Sequence, residues 1–215
     1  MQNDKLNFSR RHFLTLSTSA TLLGLIPGLC YANIIRKMHG KVWINNTPAT
    51  LDTLIEAGDT IKTGANSQVI FVMGDDVYKL GARSTLRLRY NPNESTIVKA
   101  MRLFSGSLMG VFGKSDNSRV IESPTATMGI RGTGLFIEIE PNSTYFCTCY
   151  GDTEIITHDA SRHLQKIKTL THTAYSVSHD IDHPRLFSDT MKHHTDEELH
   201  YLESLVGRKP PVNFK

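Results

Sequence analysis

Apolar residues in the middle of the chain recur at every second position, in short blocks. The blocks are Val42 and Ile44, Val69 to Val72, Val77 to Leu80, Leu86 and Leu88, Ile97 to Met101, Gly106 to Phe112, Arg119 to Glu122, Gly134 to Glu140, Tyr145 to Tyr150 and Glu154 to Thr157. Turn-forming residues separate several of them, at Asn45 to Pro48, Gly74 to Asp76 and Asn91 to Asn93. Period two is the side-chain repeat of a β-strand, so the pattern predicts roughly a dozen strands and an all-β domain. It leaves open whether the strands form a sandwich, a roll or a short solenoid.

A helical pattern is strong at one place, near the C-terminus. Thr195 and Glu198 have the spacing of a capping box. An apolar stripe and a stop signal follow, at Leu199, Leu202 and Leu205 and then Gly207 and Pro210-Pro211. These signals predict a helix over Asp196 to Val206. Because an isolated helix of this length is marginal in water, we expect its stripe to dock onto the β-domain.

The N-terminus carries an export signal. Ser9 to Leu14 contains Arg10-Arg11 and resembles a twin-arginine motif; the apolar stretch after it is diluted with Ser, Thr and Gly, and a small-residue cleavage pattern ends at Ala32. The apolar stretch is shorter than the ~20 residues of a membrane-spanning helix. The sequence therefore predicts a periplasmic protein that is exported in its folded state and contacts the membrane only during export. After cleavage, the mature protein would begin at Asn33. An uncleaved N-terminal anchor is the alternative.

The predicted organisation is a signal peptide over residues 1–32, a β-domain over 33–158 and a histidine-rich tail with the helix over 159–215. Removing the signal takes away Lys5, Arg10 and Arg11 together with Asp4, so the net charge falls from +3 to +1. Arg83, Arg87 and Arg89 form a small basic strip, but it lacks the interleaved aromatic residues of a nucleic-acid site. We therefore expect no nucleic-acid partner.

Cys147-Thr148-Cys149 is the sharpest chemical feature. On a strand, residues two apart share a face with Cα atoms ~6.6 Å apart, a separation that is unfavourable for a disulfide. Two such thiols can instead bind Zn, Cu or Fe, with imidazoles completing the coordination. Eight of the ten histidines follow Gly151. The predicted ligand set is Cys147, Cys149, His172, His179 and His183, with His193 and His194 as alternatives.

Three other interpretations of these residues stay open. A bulge or turn can bring the two sulfurs together as a strained disulfide in the oxidising periplasm. The cysteines can be small hydrophobic residues on a packed strand. The histidines can be dispersed over the surface with no common site. Twin-arginine export, which is associated with proteins that fold and take up metals before crossing the membrane, favours a metal site.

Other motifs indicate structure rather than catalysis. Gly129 to Gly134 resembles a phosphate loop but lacks the Gly-Lys-Ser/Thr ending and leads into a strand. We expect its glycines to supply positive φ at a tight turn, with Arg131 free to pair or to contact a ligand. Glu138 and Glu140 share a strand face, which suits a hydrolase but is far more typical of a solvated surface. With no nucleophile elbow either, no enzyme activity is predicted.

Several of these stretches resemble the FecR family of periplasmic sensor domains. The resemblance covers Gly40 to about Ile155 and rests on Gly58 to Gly64, Leu103 to Gly106, Ser123-Pro124 and Thr127 to Gly134, including Arg131-Gly132-Thr133. It implies an all-β sensor domain outside the cytoplasmic membrane. FecR-like regulators typically add a cytoplasmic segment that contacts a sigma factor, a membrane helix and a C-terminal receiving domain. Here the export signal stands in place of the first two, so this chain is not expected to carry a signal across the membrane alone.

The expected function is therefore that of a non-enzymatic periplasmic sensor or interaction domain. It would bind a periplasmic or envelope protein, or a ligand, with a metal at the cysteine pair as an added feature. The alternative is a metal-loaded redox or metal-handling protein that uses the β-domain as a scaffold. The sequence does not predict the oligomeric state.

Overall fold

A computed structural model of the chain describes residues 33–89, 100–114, 119–180 and 186–211. Within these ranges the strands are β1 (Ile34–His39), β2 (Val42–Ile44), β3 (Thr47–Pro48), β4 (Thr60–Thr63), β5 (Gln68–Met73), β6 (Asp76–Leu80), β7 (Thr85–Leu88), β8 (Ala100–Val111), β9 (Arg119–Glu122), β10 (Ala126–Ile139), β11 (Ser143–Thr157), β12 (Leu164–Thr169), β13 (Thr173–Ser178) and β14 (Leu186–Asp189). The helix α1 spans Asp196–Ser204. The predicted signal residues Arg10, Arg11 and Ala32, and the predicted ligand His183, lie outside the described residues.

The predicted all-β fold with one C-terminal helix is confirmed. The strands form one hydrogen-bonded sheet whose main path runs β14-β13-β11-β10-β9-β8-β7-β4-β2-β3. Off this path, β12 pairs with β11, and the series β1-β5-β6 joins the sheet at β8. The long strands change partners along their length: β8 pairs with β7 over Met101–Ser105 and with β6 over Leu108–Val111.

The hairpin between β2 and β3 shows how local chemistry fixes the register. Asn45 and Asn46 have φ values of 51° and 66°, and Ile44 pairs with Thr47 across them. Two consecutive left-handed residues are the signature of a tight type I′ turn, which asparagine tolerates better than most residues. The predicted turn at Asn45 to Pro48 is therefore present and belongs to a two-residue hairpin loop.

Two apolar cores lie on opposite faces of the central strands. In β5, Val69, Phe71 and Met73 belong to the main core, whereas Ile70 and Val72 belong to a second cluster. This second cluster, called here the helix-side core, also contains residues of β6, β8, β10, β11 and α1. Because both faces of these strands are covered, their side chains form continuous buried runs instead of alternating between buried and exposed.

The helix α1 begins as its sequence predicts. The Thr195 side chain accepts a hydrogen bond from the Glu198 backbone, and the Glu198 side chain accepts one from the Thr195 backbone. The helix ends at Ser204, two residues before the predicted end, and Gly207 follows with a φ of 68°. Leu199, Leu202 and Val206 are buried in the helix-side core.

The segment after residue 158 continues the sheet. The strands β12, β13 and β14, which the sequence pattern did not indicate, extend it beyond β11, with β12 and β13 both paired to β11. The predicted blocks Tyr145 to Tyr150 and Glu154 to Thr157 are parts of this one strand β11. In the described part of the chain, none of the helical structure has the length and apolar character required to span a bilayer.

Candidate metal centre

Cys147 and Cys149 lie on β11 and face the helix-side core, where both are fully buried and have free thiols. The register between β10 and β11 shifts beside them: Leu135 pairs with Thr148 and Gly134 with Tyr150, so Cys149 has no partner on β10. This is a β-bulge, which re-aims side chains locally. The predicted shared face of the two cysteines is therefore present, with a bulge at the second one.

His172 reaches the cysteines from the turn between β12 and β13. Thr173 pairs with Thr148 and Ala174 with Cys147, so continuing this register places His172 opposite Cys149. The His172 Nδ1 atom lies 3.6 Å from the Cys147 Sγ atom. His172, a member of the predicted ligand set, therefore lies beside the cysteines.

His194 arrives from the connection that leads into α1. Its ring stacks on Phe136, with ring centroids 4.7 Å apart and planes at 19°. Its Nε2 atom lies 3.5 Å from the Cys149 Sγ atom and 3.3 Å from the His172 Nδ1 atom. The candidate centre therefore consists of Cys147, Cys149, His172 and His194, and its four potential ligand atoms all lie within 4.8 Å of one another.

The outer nitrogen of each imidazole has a partner. His172 Nε2 lies 2.7 Å from an Asp196 carboxylate oxygen, and His194 Nδ1 lies 2.7 Å from the Lys192 carbonyl oxygen. A carbonyl or ionised carboxylate oxygen can only accept, so each outer nitrogen carries the proton of the neutral ring. The inner nitrogens then present lone pairs to the centre, which is the usual second-sphere arrangement around metal-bound histidine.

The spacing of the inner atoms suits a tetrahedral ion. With Zn–S bonds of about 2.3 Å and Zn–N bonds of about 2.0–2.1 Å, tetrahedral geometry requires S···N distances of about 3.6 Å and an N···N distance of about 3.3 Å. Two of the four S···N distances are 3.6 and 3.5 Å, the N···N distance is 3.3 Å, and the remaining pairs of ligand atoms, including the two sulfurs, lie within 4.8 Å of each other. The four side chains can therefore hold a tetrahedral ion with little rearrangement.

The pKa values of the two thiols shift in opposite directions. The hydrogen bond with Cys149 lowers the pKa of Cys147 to about 4, and contacts with His172 and His194 act in the same direction against burial. Burial raises the pKa of Cys149 well above its usual value, and the charge of Cys147 adds to the rise. Burial alone would lower the pKa of His172, but its contacts with Cys147 and Asp196 raise it. Without a metal, these shifts favour a thiolate at Cys147 over one at Cys149.

The other predicted ligands lie elsewhere or are not described. His179 follows β13, and its Nε2 atom lies 3.3 Å from the Thr144 hydroxyl, three residues along β11 from Cys147. His183 lies outside the described residues. His193, the other alternative, contacts a Glu138 carboxylate oxygen at 2.5 Å and belongs to a separate group with Glu140. His194, which the sequence offered only as an alternative, takes the fourth position.

One local signal could have selected His194. It directly precedes Thr195, the helix N-cap, and the apolar stripe of α1 predicts that this end of the helix docks onto the sheet. A docked N-terminus places the residue before the cap against the same face as the cysteines. Spacing from the cysteines carries no such information, because the contact spans 45 residues.

Glu138 and Glu140, the two carboxylates considered for a hydrolase site, both pair with basic side chains. Glu138 contacts His193, and Glu140 pairs with Lys192 Nζ at 2.8 Å and accepts a hydrogen bond from Ser143. Burial would raise the pKa of Glu140, but the contacts with Lys192 and Ser143 lower it. A glutamate held ionised by a lysine is poorly suited to act as a general acid.

Arg131 is exposed on β10 and lines a cleft of about 490 Å³ beside Asp152 and Lys168. The predicted tight turn at the adjacent glycines is absent, because β10 runs through the segment from Ala126 to Ile139. Gly132 does have positive φ, at 62°, and the strand register shifts between Arg131 and Gly134. The glycine-rich motif therefore builds a bulge within a strand, which meets the same backbone requirement as the predicted turn.

No protein-family model matches the chain, and no curated protein matches it. Two crystal structures of a candidate anti-sigma factor from Parabacteroides distasonis ATCC 8503, at 2.50 and 1.65 Å resolution, are similar to part of it. Each has a TM-score of 0.49, the identities are 9% and 10%, and 62% of this chain aligns with 60% of the other. The chain thus spans about 60% of the length of those structures.

Proposed function

We propose that this chain is an exported, non-enzymatic β-domain that holds one zinc ion at Cys147, Cys149, His172 and His194 and acts by binding a protein of the bacterial envelope. The observation that carries the metal assignment is the convergence of two inner imidazole nitrogens and two thiols within 4.8 Å, with two S···N distances and the N···N distance at the values of a tetrahedral ion. Lone pairs facing each other at such distances repel, and a cation between them removes the repulsion.

Zinc suits these donors better than copper(II). Two thiolates and two imidazoles in tetrahedral array are a common structural zinc set, whereas copper(II) prefers tetragonal sites. Metal binding needs deprotonated sulfur, and the low pKa of Cys147 supplies one thiolate before the metal arrives. The bound ion would supply charge and cross-linking between elements, and no substrate-binding role is assigned to it.

Burial favours a resident ion over transported cargo. Both cysteines are fully buried, His194 is 7% exposed, and the side chain of His172 is 11% exposed. All four potential ligands are protein side chains, which is typical of a structural site, whereas catalytic zinc keeps a position open. These features weigh against the alternative of a metal-handling or redox protein.

The interaction role has separate support. The resemblance of Gly58 to Gly64 and Thr127 to Gly134 to the FecR pattern, together with the all-β fold, favours a sensor or interaction domain. The predicted twin-arginine signal favours a periplasmic location and a protein partner there. Folding before export would allow the zinc to be loaded in the cytoplasm, where thiols stay reduced.

Metal analysis of the protein, purified after export through its own N-terminal segment, tests the proposal. We expect about one zinc per chain, and less than about a tenth of that in the Cys147→Ser/Cys149→Ser double variant, because serine cannot replace a thiolate ligand. His163→Ala is the matched control, since His163 is exposed near the β11–β12 turn. Absence of metal from the native protein, or equal zinc in the double variant, would overturn the proposal.

A further inference from the structure

The helix α1 is attached to the sheet at both ends by different chemistry. At its N-terminal end, His194 contacts Cys149, and Asp196 contacts the Nε2 atom of His172. The proposed ion would therefore hold this end twice, directly through His194 and indirectly through His172 and Asp196. Both connections pass through the two residues that flank the N-cap Thr195.

The C-terminal end of α1 has a polar anchor that needs no metal. Glu203 is 3% exposed, accepts a hydrogen bond from the Tyr150 hydroxyl and pairs with Arg208 Nε at 2.6 Å. Leu202 and Val206 bury their side chains beside it in the helix-side core. This half of the helix is therefore held by apolar burial and by the buried Glu203 carboxylate, which pairs with the partly exposed Arg208.

Apart from the buried Leu199, the metal-independent contacts of the N-terminal half include ion pairs that are partly exposed, Lys79 with Glu198 and His193 with Glu138. The helix has nine residues, too few to be stable in isolation, so each end depends on its contacts with the sheet. His193, just before it, has a φ of 63°, a left-handed conformation that is unfavourable for a non-glycine residue. Such a conformation persists only when the surroundings hold it in place.

We infer that occupancy of the metal centre controls the docking of residues 190–199 on the sheet, so that loss of the ion frees the N-terminal half of α1 while the Glu203 end stays attached. This inference rests on the proposed zinc site. Release of the segment uncovers Phe136 and Tyr145, since His194 stacks on the Phe136 ring and the Tyr145 hydroxyl donates to the Thr190 carbonyl. The centre thereby becomes a metal-responsive switch that hides or exposes an apolar face of the sheet.

Metal binding and docking of residues 190–199 are thermodynamically linked. An ion that binds the docked segment and not the released one shifts the equilibrium by its differential affinity for the two states. Opening of a segment is measurable as faster exchange of its backbone amide hydrogens, residue by residue. Loss of the ion should therefore open residues 190–199 and leave the rest of the sheet unaffected.

Hydrogen exchange followed by mass spectrometry on the exported full chain tests this, with one equivalent of Zn²⁺ and after metal removal by a chelator. Zinc content is measured on the same samples. We expect peptides covering 190–199 to exchange at least about tenfold faster without zinc, and peptides of β8 to change less than about twofold. His194→Ala should exchange fast even with one equivalent of Zn²⁺, and His163→Ala should behave like the native chain.

The outcomes separate the two proposals. Stoichiometric zinc without a change over 190–199 would overturn the switch and leave the zinc site standing. Faster exchange throughout β8 as well would also overturn it, because the ion would then be required for the whole fold. If the protein binds no zinc, both the site and the switch are wrong.

Discussion

The Nδ1 atom of His172 and the Nε2 atom of His194 lie 3.3 Å apart, although 22 residues separate them in the chain. Each ring is oriented by a partner on its far side, Asp196 for His172 and the Lys192 carbonyl for His194. Two oriented acceptors at this distance need a shared proton or a cation between them. With two thiols completing the group, a thiophilic metal meets that need better than a proton does.

The Asp196 carboxylate should strengthen metal binding without touching the metal. Replacing it in Asp196→Asn removes the charge that orients His172 and raises its basicity, so zinc affinity should fall by about 10–100-fold. Competition against a chromophoric chelator measures this. Asp52→Asn is the matched control, because Asp52 is exposed in a loop. An unchanged affinity in Asp196→Asn would mean that the His172–Asp196 contact has no role at the centre.

The absence of a side chain at Gly134 creates the space for the Tyr150 ring. A Cβ atom at Gly134 would lie 2.4 Å from a Tyr150 ring carbon, far inside van der Waals contact. Gly134→Ala should therefore destabilise the protein by about 1–3 kcal/mol, as overpacking does in other cores. Urea unfolding measures the change.

Gly129 on the same strand supplies the control for this substitution. A Cβ there would meet nothing closer than 3.9 Å. Gly129→Ala should accordingly leave the free energy of unfolding within about 0.5 kcal/mol of the native value, the usual range for a substitution that creates no clash. Equal effects of the two alanines would show that Gly134 is not needed to make room for the Tyr150 ring.

A buried ion pair joins β6 to β9. The Asp76 carboxylate contacts the Arg119 guanidinium, and their side chains are only 2% and 4% exposed. Asp76→Asn leaves a buried guanidinium without its countercharge and should cost about 3–5 kcal/mol. For comparison, Glu154→Gln breaks an exposed pair with Lys166, 3.6 Å apart, and should cost about 0–1 kcal/mol. Similar losses in both variants, measured by urea unfolding, would argue against a role for burial.

Lys192 connects two carboxylates, and this network predicts a pH dependence. Burial would raise the pKa values of Asp189 and Glu140, but hydrogen bonds, including those from Lys192, lower both. A carboxyl group whose pKa is lower when folded stabilises the protein above its unfolded pKa of about 4, and that stabilisation disappears as the pH falls through the folded pKa. Acidification should therefore weaken this network.

Lys192→Met tests that sign. At pH 7 the variant should be less stable by about 0.5–1 kcal/mol, and the difference should shrink as the pH falls below about 4 and through the lowered folded pKa values, because the carboxyl groups then become neutral. Unfolding is measured with chelator present, so that zinc release does not contribute. Lys62→Met is the control, since Lys62 contacts the neutral Asn46 amide and should show no such pH dependence. A difference that grows on acidification would contradict the assignment.

Strands with a clear period-two pattern and the capped start of the helix could be predicted from the sequence. The period-two blocks gave most central strands, and the Thr195–Glu198 capping box gave the start of α1. The strands β12 to β14 lacked a clear alternation, since in β12 only Ile167 is buried, and their pairing with β11 and with each other decides their conformation. The long strand β11 was predicted as two separate blocks, because the bulge at Gly151 interrupts the alternation within it.

The candidate centre was predictable only in part. Cys147 and Cys149 share a face because strand geometry requires it, and this could be read from two positions. Selecting His172 and His194 over His179 required the register of β13 and the docking position of α1, and both are properties of the folded chain. Local sequence patterns identify potential metal ligands, whereas the tertiary structure determines which of them lie close together.

The most direct test of the zinc centre is X-ray absorption spectroscopy at the zinc edge on the exported protein. We expect a first shell of two sulfur atoms at about 2.3 Å and two nitrogen atoms at about 2.0–2.1 Å, with the outer-shell signature of imidazole. The His163→Ala protein should give the same spectrum. A shell of oxygen and nitrogen without sulfur, or protein that carries no zinc to measure, would contradict the assignment of Cys147, Cys149, His172 and His194 as a metal centre.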